Sequence, residues 1–271
     1  MACNSKLLGI SLLFFARAAA ATSGAIGNIS IYWGQNSNEG GLAAPRSATG
    51  RHRGVKVLLI IGGAGGSYGL SSASDAQSVA TYLWDNFLGG DNVSRPLGSA
   101  VLDGIDLDIE NGNSSHYDDL AKNLISLYKG DKGGGRGTFL LTAAPQCPYP
   151  SASLGLGPAL GTGLFDHVWV QFYNNPPCQY ASGGDVSNLA SAWKTWTHNL
   201  SSATVFLGLP ASPDAAGSGY HRTYSSRVCC RLPVVNGSAN YGGIMLWNRY
   251  YDKQSGYSAN LLQLRKRIPS V

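Results

Sequence analysis

Short runs of β-branched and apolar residues alternate along this chain with stretches of helical spacing, and that alternation leaves few architectures open. The strand candidates are Asn28 to Trp33, Val55 to Ile61, Ala100 to Glu110, Thr138 to Ala143, His167 to Tyr173, Thr204 to Leu209 and Gly242 to Trp247. Between them, Ser74 with Gln77 forms a capping box ahead of Val79, Leu83 and Phe87, and Gly89-Gly90 closes that helix. Ser114 and Ser115 precede Tyr117, Leu120, Leu124 and Leu127, with Gly130 as the stop, and a third helix is expected from Val186 to Trp196. Strands alternating with helices require a parallel sheet, either a closed (β/α) barrel or a doubly wound open sheet. The 271 residues suit one such domain; 44% of them are hydrophobic and 13% charged, which excludes a disordered chain, and no heptad persists to make a coiled coil.

The N-terminal stretch reads differently. Lys6 precedes an apolar run from Leu7 to Phe15, and small residues follow from Ala18 to Gly24, the layout of a secretory leader cleaved between Ala20 and Ala25. The run is shorter than the roughly 20 apolar residues that span a bilayer. A leader over residues 1–25 and a single barrel domain over 26–271 are therefore expected, with the product extracellular or vacuolar. Losing Lys6 and Arg17 takes two from the formal charge of +5. The basic clusters, Arg51, His52, Arg53 and Lys56, then Arg265, Lys266 and Arg267, have no interleaved aromatics, so they read as solvated surface rather than a nucleic-acid groove.

Secretion makes the cysteines disulfide candidates. Cys3 leaves with the leader; Cys147, Cys178, Cys229 and Cys230 remain, and because adjacent cysteines pair only under strain, Cys147 with Cys178 is the favoured bridge. Asn-x-Ser sequons begin at Asn28, Asn92, Asn113, Asn199 and Asn236, of which Asn28 opens a buried strand and is not expected to be modified. His52, His116, His167, His198 and His221 lack ligand spacing, so no metal is expected. The run Gly62-Gly63-Ala64-Gly65-Gly66 spells neither a dinucleotide nor a P-loop fingerprint, and no cofactor is expected. Gly65-Gly66-Ser67-Tyr68-Gly69 formally matches a nucleophile elbow, with Asp214 and His221 as partners for Ser67, but a tight barrel loop is the plainer reading.

The chemistry concentrates in Val101-Leu102-Asp103-Gly104-Ile105-Asp106-Leu107-Asp108-Ile109-Glu110. Side chains alternate along a strand, so Asp106, Asp108 and Glu110 share one face while Ile105, Leu107 and Ile109 share the other. Three carboxylates on an apolar-backed strand resist joint ionisation, which predicts at least one shared proton and a general acid at Glu110, nearest the strand's C-terminal end. A solvated edge strand fits poorly with the clean apolar face, and a Ca²⁺ or Mg²⁺ site would draw its ligands from a glycine-turned loop.

Asp103 to Glu110 resembles the DGxDxDxE signature of family 18 glycoside hydrolases, and the chain is similar to the plant class III, hevamine-like chitinases. Ile31-Tyr32-Trp33-Gly34-Gln35-Asn36, Leu141 to Cys147, Trp169 to Cys178 and Gly243 to Trp247 carry the same resemblance. It implies a (β/α)8 TIM barrel with its site at the C-terminal strand ends, and a secreted, monomeric plant-defence endochitinase acting on chitin or chito-oligosaccharides, with lysozyme-like action on peptidoglycan as a side activity. By resemblance, Glu110 protonates the leaving oxygen and the substrate's own 2-acetamido carbonyl attacks C1, a departure from the two-carboxylate scheme. Asp108 would orient the acetamido group, Asp106 would share the Asp108 proton, and Tyr173 would hydrogen-bond the acetamido oxygen. Trp247 would floor the sugar at the cleavage site, with Tyr32, Gln35 and Gln171 as further substrate contacts.

Two places depart from the family pattern. Between Gly40 and Gly54 only Gly41 to Arg53 stand where the family has a first helix, a second strand and a disulfide loop. A crossover needs about a dozen residues merely to return, so the barrel is expected to be incomplete, with its second strand-helix unit missing and an unpaired edge left behind. From Tyr220 to Arg231 similarity also breaks off, as a local reading-frame error would produce, before resuming at Leu232-Pro233. The competing expectation is a catalytically silent barrel that binds carbohydrate or inhibits another glycosidase, as xylanase inhibitor proteins and concanavalin B do; a product too poorly folded for either is the third.

Overall fold

The computed structural model describes residues 11–16, 27–34, 55–65, 68–130, 139–150, 156–181, 184–222, 235 and 238–266. Eight strands close into a barrel: β1 (Ser11–Ala16), β2 (Asn28–Trp33), β3 (Val55–Gly63), β4 (Gly104–Ile109), β5 (Leu140–Ala143), β6 (His167–Gln171), β7 (Thr204–Pro210) and β8 (Tyr241–Trp247), in the spatial order β1-β2-β8-β7-β6-β5-β4-β3. Strands β2 to β8 are the seven read from sequence, and each contact among them is parallel.

The eighth position is filled from an unexpected source. β1 runs antiparallel to both neighbours, with Leu13 in register with Tyr32 on β2 and Leu58 on β3. The unpaired edge expected from the missing unit is thus absent here: the core of the expected leader occupies the vacancy. Short apolar runs serve equally as leader cores and as buried strands, and a strand bordered by two open ladders gains backbone bonds on both sides. The crossover from β2 to β3 lies outside the described residues, as does most of the divergent segment after Tyr220.

The alternation of the strands sorts the core into two parts. Ile105, Leu107 and Ile109 face outward into the layer shared with the helices, while Tyr32, Leu58, Ile60, Ala144, Trp169, Phe206 and Met245 fill the barrel interior. The helix Ala73–Phe87 buries Val79, Leu83 and Phe87 as expected, but it starts from Ser72, whose side chain accepts from Asp75 N while Asp75 accepts from Ser71 N. That pair, not Ser74 with Gln77, is the cap. The helix Tyr117–Gly130 buries Tyr117, Leu120 and Leu124, and Tyr128 rather than Leu127 completes the face. The third expected helix spans Ser187–Asn199.

At the N-terminal end of the barrel Asp103 accepts from Val57 N and from Lys56 Nζ at 2.8 Å, and the Lys56 side chain stays partly solvent-exposed, as expected, while it makes that ion pair. At the other end β3 and β4 lie too close for side chains: a Cβ on Gly62, which has φ +108°, would collide with the carbonyl oxygen of Asp108. No helix among the described residues is long and apolar enough to cross a membrane.

Candidate active site

β4 delivers Asp106 and Asp108 to the barrel interior and ends so that Glu110 stands at the rim. Asp106 is fully buried, and both of its oxygens are engaged: Oδ2 accepts from the Tyr32 hydroxyl at 2.7 Å, and Oδ1 accepts from Trp169 Nε1 at 2.9 Å and from the Thr142 hydroxyl. Burial pushes its pKa up to about 6, and the three donors pull against that rise. All the donors are neutral, so nothing in this nest offsets the charge outright.

Asp108, also buried, is held well above the ordinary carboxylate range, first by burial, then by the charges of Glu110 and Asp106, and finally by a hydrogen bond with Glu110. Its Oδ1 accepts from Gln171 Nε2 at 3.1 Å. Burial and the neighbouring carboxylates thus favour the protonated form of Asp108. Asp106 acts on it through charge, its own oxygens being committed to Tyr32, Thr142 and Trp169.

Two amides converge on Glu110. Gln146 Nε2 donates to Oε2 at 3.1 Å, and Gln171 Nε2, bonded chiefly to Ala144 O at 2.9 Å, lies 3.4 Å from Oε1. An isolated parallel bridge between Gln146 and Gln171 sets these residues side by side. The Gln146 amide oxygen in turn accepts from Asn175 Nδ2 at 3.1 Å. The Cys147–Cys178 disulfide, with Cα atoms 5.8 Å apart, ties together the loops that carry Gln146 and Asn175. Cys229 and Cys230 lie outside the described residues.

Tyr173 stands buried beside the carboxylates. Burial raises its pKa well above that of a free phenol, and the charges of Asp108 and Glu110 add to the effect, so it remains a neutral donor. Among the described residues no hydrogen bond engages its hydroxyl. Trp247 closes the floor at the end of β8, half-buried, with its ring 5.5 Å from that of Tyr32. Tyr32 itself is buried, and its single O–H is used on Asp106. Gln35 and Ser67 lie outside the described residues.

Of the residues expected from sequence, the fold gathers Asp106, Asp108, Glu110, Tyr173, Trp247, Tyr32 and Gln171 at one end of the barrel. The sequence did not single out Thr142, Trp169, Gln146, Asn175 or Tyr68, which enter through cross-strand register and loop closure. Within the described residues no three His, Cys, Asp or Glu side chains are grouped as a metal would need. The carboxylates are ordered as a ladder along one strand, with hydrogen-bond donors at their oxygens.

Residues 12–221 match the family described as "Glycosyl hydrolases family 18". The chain is 48% identical to an acidic endochitinase of Vitis vinifera over 280 aligned positions, which cover 87% of this chain and 90% of that protein. An alignment longer than the chain itself places gaps in this sequence, in keeping with a missing segment. Among solved structures, a chitinase from Ipomoea carnea superposes with a TM-score of 0.69 at 46% identity, covering 78% of this chain and 74% of that one. A xylanase and α-amylase inhibitor protein from Scadoxus multiflorus gives 0.71, also at 46% identity, covering 79% and 76%.

Proposed function

Because the chain belongs to glycosyl hydrolase family 18, we propose that it is an endochitinase that cleaves β-1,4-linked N-acetylglucosamine polymers with help from the substrate's own acetamido group. The observation that carries the reading is the carboxylate ladder. Asp106, Asp108 and Glu110 all rise from one strand and its end, and the charges of Asp106 and Glu110 both act on Asp108. A retaining glycosidase with a protein nucleophile holds two carboxyl groups about 5–5.5 Å apart on opposite sides of the sugar; a ladder on a single strand supports a nucleophile supplied by the substrate instead.

The steps follow from the placement of each group. Glu110 donates its proton to the glycosidic oxygen as the bond to C1 breaks, and the acetamido carbonyl oxygen bonds to C1 to form a cyclic oxazolinium ion. Asp108 accepts from the acetamido N–H and faces the developing positive charge, which works against the burial and the neighbouring carboxylates that raise its pKa in the free protein. The Tyr173 hydroxyl donates to the acetamido oxygen, and Trp247 supplies an apolar floor for the ring. Water then attacks C1, losing its proton to the Glu110 carboxylate, and the ring opens with the original anomeric configuration restored.

Secretion through a leader over residues 1–25 and action as a monomer on chitin or chito-oligosaccharides, with peptidoglycan as a lesser substrate, complete the proposal; β1 lies within that leader, so the closed seam belongs to the chain that retains it. The likeness to an inhibitor protein supports the silent-barrel alternative, but the buried Tyr173 beside the carboxylates and the complete acidic ladder favour turnover. Comparing N-acetylated with de-N-acetylated oligosaccharides of equal length separates the readings. Hydrolysis confined to the acetylated series is expected; equal rates on both would remove the substrate-assisted route, and binding without turnover of either would favour the inhibitor-like protein.

A further inference from the structure

Tyr68 belongs to the glycine-rich segment after β3, whose resemblance to a nucleophile elbow drew attention to Ser67. The hydroxyl of Tyr68 is used to full capacity: it donates to Gly63 O at 2.6 Å and accepts from Glu110 N at 2.8 Å and from Asn111 N at 3.0 Å. These are the first two amides beyond β4, and the ladder between β3 and β4 ends one residue earlier, at Gly63 opposite Ile109. Left alone, both would be polar groups at a partly closed rim with no strand to receive them.

Two further contacts fix the same junction. The Asn111 side-chain amide donates to Ala64 O, and Gly112, at φ +83°, leaves no room for a Cβ against the Tyr68 carbonyl oxygen. Tyr68 is 8% exposed, and burial raises its pKa, so the phenol keeps the proton it donates. The chain ends of β3 and β4 are therefore pinned together at the residue that carries the general acid, while Gln146 holds the acid's far end.

We propose that Tyr68 is a positioning residue for Glu110: its hydroxyl, bound to the amide of Glu110 and to the end of β3, sets where the carboxyl group stands relative to the glycosidic oxygen. It rests on the reading of Glu110 as the general acid. Tyr68 touches no reacting atom, so its removal should impair proton donation while leaving sugar binding intact.

The test uses Tyr68→Phe, which removes one oxygen, on two substrates of the same enzyme sample. An N-acetylated chito-oligosaccharide departs with a sugar alkoxide and depends on the acid; its 4-nitrophenyl glycoside counterpart departs with a stable phenolate and hardly does. General acid catalysis contributes roughly 10²–10⁴-fold, and a displaced acid should forfeit about tenfold of it. The expected result is kcat down about tenfold on the oligosaccharide, less than about twofold on the nitrophenyl glycoside, and KM within about twofold on both. The ratio of the two rates cancels any loss of folded protein. Equal losses on both substrates would make Tyr68 merely structural, and no loss on either would also overturn the proposal. Gly112→Ala, which displaces Tyr68 without altering its hydroxyl, should show the same selective loss. Wild type and Glu110→Gln are run alongside: an active wild type that Glu110→Gln silences, with Tyr68→Phe unaffected, rejects the role of Tyr68 alone, whereas activity surviving in Glu110→Gln rejects both readings.

Discussion

The arc from β3 round to β8 and the seam at β1 are joined by different rules. Along the arc, parallel strands are spaced by helices, inward residues alternate with outward ones, and several strands contribute to the site: Asp106 and Asp108 from β4, Thr142 from β5, Trp169 and Gln171 from β6, Trp247 from β8. The seam is a single antiparallel strand with no helix of its own among the described residues, and it adds backbone pairing to β2 and β3. Closure and chemistry are thus separable. The proposed reacting groups stand on the arc and the closing backbone pairs at the seam, and Tyr32 on β2, next to the seam, reaches Asp106.

That separation breaks most visibly at Glu110. Glu110→Gln should cut hydrolysis of a chito-oligosaccharide about 10³-fold, with its melting temperature within about 2 °C of wild type; a large fall in melting temperature would mean that the acid also holds the barrel together. The converse change lies in the seam. Leu13→Pro removes a backbone donor from the middle of β1 and should cost about 3 kcal/mol, lowering Tm by about 10 °C, while kcat measured well below Tm stays within about twofold. Loss of kcat in proportion to stability would show that the seam shapes the site. Removal of the whole leader is a harsher form of the same change, since β1 goes with it.

A titration sharpens the contrast further. Asp106 has its pKa raised from 3.8 to about 6 in the folded chain, so the folded state holds more protons than the unfolded one between those values. Its contribution is fully present below about pH 4 and is lost as pH rises through about 6, a difference of about 3 kcal/mol; Asp108, raised further, extends the decline upward. Melting at pH 4 and pH 7 should show this fall in wild type and a smaller one in Asp106→Asn. A Leu13→Pro chain should keep the full pH dependence, because the arc generates it. The smallest effect concerns the arc's own helices: Ser72→Ala should cost about 1 kcal/mol and Ser74→Ala less than half as much, read by urea midpoints, because Ser72 is the residue that caps.

The residues legible in the sequence were those whose geometry is local. Period-two alternation put Asp106, Asp108 and Glu110 on one face before any fold was known, and turn chemistry marked the helices to within a few residues. What escaped depends on register. Thr142 and Trp169 reach Asp106 only because β5 and β6 stand beside β4 at particular offsets, and Gln146 meets Glu110 only through its bridge to Gln171. Ser72 and Ser74 each precede a polar residue three positions on, so spacing alone could not choose between them. The run from Leu7 to Phe15 is ambiguous for a related reason: an apolar stretch has the same composition whether a signal peptidase or a barrel receives it.

The stereochemistry of the first product tests the central claim, that the ladder on β4 works with a nucleophile borrowed from the substrate. Proton NMR of an N-acetylated chito-oligosaccharide during the first minutes of hydrolysis reads the new reducing end directly. The β-anomer should accumulate first and then mutarotate, in wild type and not in Glu110→Gln. Initial appearance of the α-anomer would mean that water attacks from the opposite face with a second carboxylate as base, and the ladder mechanism would have to be abandoned.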